Sequence, residues 1–102
     1  MIVLDSSAAC DMVRKTEEGM AFRALMLSEE KVISCELLRA EVVSIFRKLC
    51  RHGLIPIEKV QSFLTESTAL VNEYYSIQEL QEEVLSESIR LDHSSYDMFY
   101  FV

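Results

Sequence analysis

Met1-Ile2-Val3-Leu4-Asp5-Ser6-Ser7-Ala8-Ala9 is the stretch whose reading decides the fold. Ile2-Val3-Leu4 is a continuous apolar run, the pattern of a strand buried on both faces in a parallel sheet. Asp5-Ser6-Ser7 follows at once, so a helix is expected to start there with a serine cap. A strand that turns straight into a helix begins a βαβ unit, and the remaining sequence continues the alternation. Glu17 to Leu27 sets Met20, Ala24 and Leu27 on one helical face, with Ala21 and Leu25 beside them. Lys31-Val32-Ile33-Ser34 reads as a second short strand. Leu38, Val42, Ile45 and Leu49 mark a helix over Glu36 to Arg51, ended by Gly53. Pro56 suits a first helical turn, and Ile57, Val60, Leu64 and Val71 then give another face. Tyr74-Tyr75 reads as a third strand. Ile77, Leu80, Val84 and Leu91 mark a further helix, and Ser94 opens a last one. The expectation is an α/β fold with a short parallel sheet. Ligands of such sheets collect at the carboxyl ends of the strands, where Asp5 stands.

With 102 residues, half of them hydrophobic, the chain reads as one globular domain over residues 1–102. No apolar run approaches the ~20 residues that span a bilayer. No basic flank and apolar stretch follow Met1, so no secretory signal is expected. Cys10, Cys35 and Cys50 are odd in number and widely spaced, which points to buried or idle thiols in a reducing cytoplasm. Met20, Met26 and Leu27 read as core. The net charge of −7 is unevenly placed. Residues 1–52 hold eight acids and eight bases, whereas residues 53–102 hold nine acids and two bases. A passive polyanion binder is basic, so contact with RNA here needs cations or a local basic strip. Arg39, Arg47, Lys48 and Arg51 form such a strip, which also suits a solvated helix face salted with Glu36.

Three carboxylates look out of place. Stepping ~100° per residue from Leu38 puts Glu41 at about −60°, between Ile45 and Leu37 and inside the apolar face. A carboxylate beside a core must be paired, protonated, metal-bound or able to reach water at the edge. Asp97 is the only charge in Tyr96-Asp97-Met98-Phe99-Tyr100-Phe101-Val102, though Ser94-x-x-Asp97 also fits a capping box. Asp5 at a strand end equally suits a cap for the next helix. His93, four residues before Asp97, could reach the same helix face but reads as structural or solvent-exposed. If the three acids meet, they repel one another, and a hard divalent cation with oxygen ligands relieves the repulsion. Such a site suits phosphodiester chemistry.

Met1-Ile-Val-Leu-Asp5-Ser-Ser7, Leu37-Leu-Arg-Ala-Glu41-Val and Leu91-Asp-His-Ser-Ser-Tyr96-Asp97-Met-Phe-Tyr100 resemble the three successive acidic motifs of a PIN domain. The closest type is the VapC-like toxin ribonuclease. The resemblance covers the whole chain. It implies a three-layer α/β/α sandwich and cleavage of RNA by a metal-activated water, with Mg²⁺ or Mn²⁺ on Asp5, Glu41 and Asp97. Ser6 falls on the family's hydroxyl position beside the first acid, and Arg39 is a candidate for RNA contact. Domains of this type continue well past the third motif, whereas this sequence stops at Phe101-Val102 in an apolar helix with no polar stop. It therefore reads as a PIN domain lacking its C-terminal strand or strands, and its first strand as an open edge that favours a homodimer. The alternative is a non-catalytic PIN module that associates with an antitoxin or with itself.

Overall fold

The computed structural model describes residues 1–26 and 31–102. Three parallel strands, β1 (Ile2–Val3), β2 (Val32–Cys35) and β3 (Glu73–Tyr75), form a sheet in the order β1-β2-β3. Ile2 pairs with Val32, and Ile33 with Glu73. β2 is the central strand, and all four of its residues are buried, as its apolar and small side chains require. Helices α1 (Ser6–Val13) and α2 (Glu17–Met26) lie between β1 and β2. Helix α3 (Leu37–Arg51), a 3₁₀ turn (Ile57–Lys59) and helix α4 (Val60–Ala69) lie between β2 and β3. Helices α5 (Ile77–Leu91) and α6 (Ser95–Phe101) follow. The chain is therefore mixed α/β with a small parallel sheet. Among the described residues no helix is long and apolar enough to cross a membrane.

The core is built where α1, α3 and α4 pack on one another. Leu38, Val42 and Phe46 form its spine on α3, and Ala9, Cys10, Met12 and Val13 face them from α1. The Phe46 ring stacks on Phe63 of α4 with centroids 6.0 Å apart. α5 packs mainly on α6, and α6 returns to β2. Tyr100 carries α6 into the main core.

Two bonds fix the end of β1. The Leu4 amide donates to the Ile33 carbonyl at 3.0 Å, and the buried Ser34 hydroxyl donates to the Leu4 carbonyl at 2.6 Å. Asp5 follows directly, so its position is set from the central strand.

Several expectations need correction. β1 is not buried on both faces: Leu4 is buried, but Val3 is 53% exposed because β1 is an edge strand and Val3 borders an open cavity. The cap of α1 is Asp5 rather than a serine, its Oδ1 accepting from the Ala8 amide at 2.8 Å. Met20, Ala21 and Ala24 are exposed, and among the described residues of α2 the buried one is Gly19, set close against the α1 backbone. Leu27 and the side chains of Leu25 and Met26 lie outside what is described. Phe46 joins Leu38 and Val42 as the buried part of the α3 face, whereas Ile45 and Leu49 are half-buried. Ile57 and Leu91 are exposed. Ser94 precedes α6 without a side-chain cap bond, so the Ser94–Asp97 capping box does not form.

Candidate functional site

A cavity of about 890 Å³ opens at the carboxyl end of β1. Three parts of the chain line it. Val3, Asp5, Ser6 and Ser7 come from the β1–α1 corner, and Leu37, Ala40, Glu41, Ser44, Ile45 and Lys48 from one face of α3. His93, Tyr96, Asp97, Tyr100 and Phe101 come from α6 and the turn before it. Asp5, Ser6, Glu41 and Asp97 thus share one cavity although they come from the first strand end, the third helix and the last helix.

Each acid is held differently. Asp5 is exposed and bound by one oxygen to the α1 amide it caps, where the helix dipole favours its charge. Glu41 is half-buried, and its Oε1 accepts from two hydroxyls: a short bond from Tyr100 and a long one of 3.5 Å from Ser6. Asp97 is exposed and lies 4.0 Å from the ring of His93, in the turn before α6. Burial, and then the Glu41 bond, push the Tyr100 phenol well above the usual tyrosine range, so Tyr100 acts as a donor.

The donor set suits a hard divalent cation, since Asp5, Glu41 and Asp97 offer only carboxylate oxygens. The fit lies in the chemistry and the common cavity rather than in a closed coordination shell. Among the described residues no three His, Cys, Asp or Glu side chains are grouped closely enough to hold one metal ion. Mg²⁺ keeps several waters and is often held through only one or two carboxylates, so an open arrangement of acids remains compatible with it.

Arg39 does not line the cavity. Its guanidinium stacks on the Tyr74 ring at 4.0 Å and pairs with Glu36 at 2.8 Å. Two residues before Glu41 means ~160° around the helix, so Arg39 faces the opposite side. The base that does line the cavity is Lys48. It stands seven residues after Glu41, about two turns on and on the same face, a spacing readable in the sequence. Sequence reasoning counted Lys48 only within the basic strip, and gave Tyr100 no role beside the acids. Tyr100 follows Asp97 by three residues, one turn of the same helix, and so shares its face.

The chain matches no protein-family model and no curated protein. The reading of its function therefore stands on its own residues.

Proposed function

We propose that this chain is a metal-dependent endoribonuclease of the PIN, VapC-like toxin type, folded as a three-layer α/β/α domain and acting on RNA in the cytoplasm. One observation carries the reading: the three motif acids, Asp5, Glu41 and Asp97, line the same cavity at the carboxyl end of the first strand. Strand ends of parallel sheets are where ligands bind. One or two of Asp5, Glu41 and Asp97 would hold Mg²⁺ or Mn²⁺ directly, with waters completing its shell and reaching the remaining acid. When bound, the cation would neutralise phosphate charge and activate water. The protein's own residues do the rest. Ser6 and Tyr100 hold the Glu41 carboxylate by hydrogen bonds, and Lys48 brings an ammonium to the same cavity for a phosphate oxygen. Lys48 thus takes the phosphate-contact role that the sequence had offered to Arg39.

The test is RNA cleavage by the purified chain with Mg²⁺ or Mn²⁺, against chelator. Asp5→Asn is the variant to use, because asparagine caps a helix as well as aspartate and the fold is kept. Cleavage is expected only with the cation, and to fall at least about 100-fold in Asp5→Asn. An equal rate in chelator marks a contaminating nuclease and removes the reading.

A second reading is favoured by two other observations. Glu41 is already engaged by Tyr100, and Val3, Tyr96 and Phe101 expose apolar surface at the cavity mouth. These suit a non-catalytic PIN module that pairs with an antitoxin or with a second copy along the open β1 edge. Light scattering decides the second-copy form: a dimer at micromolar concentration, with no cation-dependent cleavage, is its signature.

A further inference from the structure

Two buried or half-buried tyrosines place their hydroxyls very differently. Tyr74 donates to a backbone carbonyl, that of Thr68, at 2.7 Å. This is the ordinary way to satisfy a phenol in a core. Tyr100 is buried deeper, with 9% of its surface exposed, yet its partner is the carboxylate of a cavity-lining acid on another helix. The bond joins residues 59 apart in sequence. It also ties α6, which brings Asp97, to α3, which brings Glu41. Ser6 reaches the same oxygen of Glu41 from α1. Both hydroxyls therefore use the same oxygen, Oε1.

We infer that Tyr100 is a positioning residue for Glu41: its hydroxyl fixes the carboxylate by one oxygen and couples the helix carrying Asp97 to the helix carrying Glu41. Carboxylates that ligate metals are commonly held in this way by an outer hydrogen-bond donor, which sets their orientation. The cation part of the inference rests on the metal reading above, while the coupling of the two helices does not. Tyr100→Phe removes one oxygen and keeps the ring that fills the core, so the variant isolates the hydroxyl.

The experiment has two arms on the full chain. In the first, urea unfolding is followed for Tyr100→Phe, Glu41→Leu, which removes the acceptor, and the double variant. Because the two side chains share one bond, the double variant is expected to shift the midpoint by clearly less than the two single shifts added together. Additive shifts overturn the coupling. In the second arm, free Mn²⁺ is titrated by electron paramagnetic resonance against each folded variant, a readout that mere packing of the ring leaves unmoved. Tyr100→Phe is expected to bind Mn²⁺ about tenfold more weakly than the unaltered chain. In the Glu41→Leu background, Tyr100→Phe is expected to have no further effect. Unchanged Mn²⁺ affinity in Tyr100→Phe, beside tight binding by the unaltered chain, overturns the positioning role and leaves the metal reading standing. An unaltered chain that binds no Mn²⁺ removes the metal reading, and the tie between Tyr100 and Glu41 is then decided by the unfolding arm alone. If Tyr100→Phe does not fold, Ser6→Ala and Glu41→Leu carry the same pair of measurements on the same Oε1, and additive behaviour there overturns the shared-oxygen arrangement.

Discussion

A Cβ built on Gly19 would lie 2.0 Å from the Asp11 carbonyl oxygen and 2.6 Å from the Met12 amide nitrogen. Both are backbone atoms of α1, which cannot swing aside as a flexible side chain does. The corner that brings the helices so close is tightly bonded. Lys15 takes a positive φ of 58°, the Thr16 amide donates to the Asp11 carbonyl, and the Thr16 hydroxyl accepts from the Gly19 amide at 3.0 Å. Gly19→Ala is therefore expected to cost about 3 kcal/mol or more. That is a large share of the about 5–15 kcal/mol that holds a typical domain together. Urea unfolding followed by circular dichroism checks it, and a variant with the original midpoint would show that α1 and α2 do not meet at Gly19. A lone glycine in a helical pattern carries no sign in the sequence that another backbone passes over it. For that reason the sequence put Met20 inward and the fold turns it out. Glu41 is the contrary case. Its angle on the α3 wheel marked it as a carboxylate set among apolar neighbours, and it is half-buried at a cavity wall. What the wheel cannot supply is the partner, since Tyr100 comes from another helix.

At the scale of elements, local rules serve best where an element is stabilised locally. α5 is such a case. Only Val84 among its 15 residues is buried, and Leu85 and Ile89 are exposed at 62% and 73%. Its stability draws on its ends and its surface. Ser76 and Glu79 form a complete capping box, with bonds of 3.1 and 2.7 Å, and Glu87 pairs with Arg90 at 2.6 Å. Ser76→Ala should cost about 1 kcal/mol and fray the first turn. Hydrogen exchange of the amides at the start of α5 is the measurement, and unchanged protection there argues against the box. The effect bears on the site, because α5 supports α6 and α6 brings Asp97 and Tyr100 to the cavity. The alternation of strands and helices was legible in the chain, because apolar runs and apolar stripes differ in period. Which of two local bonds an acid would choose was not. Asp5 caps its helix while also lining the cavity, whereas Asp97 fits a capping box in sequence and forms none. Arg39 was misplaced for a different reason: the angle that sends it away from Glu41 was available, but basic residues close in sequence were read as one strip.

For the molecule as a whole, buried thiols and phenols make stability fall with pH in the alkaline range. Burial pushes the Cys10 thiol up from 9.0 to about 12, and burial likewise raises Cys35, Tyr74 and Tyr100 above their usual ranges. Each of these groups holds its proton more tightly folded than unfolded. The stabilisation is therefore complete below the unfolded values, 9.0 for cysteine and 10.0 for tyrosine, and is lost as pH climbs through them toward the folded values. In that window every proton kept only by the folded state removes about 1.4 kcal/mol per pH unit. Unfolding free energy is expected to fall as pH rises above about 9, more steeply once the tyrosines join. A competing cause must be separated, because a chain of net charge −7 gains further negative charge as it becomes alkaline. Self-repulsion of that kind is screened by salt, whereas a proton retained in the core is not. Urea unfolding across the alkaline range, at low and high salt, distinguishes them. The slope that survives high salt belongs to the buried protons, and Cys10→Ala should make it shallower by about one proton's worth. A salt-resistant slope that Cys10→Ala leaves unchanged would mean that the Cys10 thiol ionises as easily in the folded chain as in the unfolded one, and that α1 is not packed into the core through it.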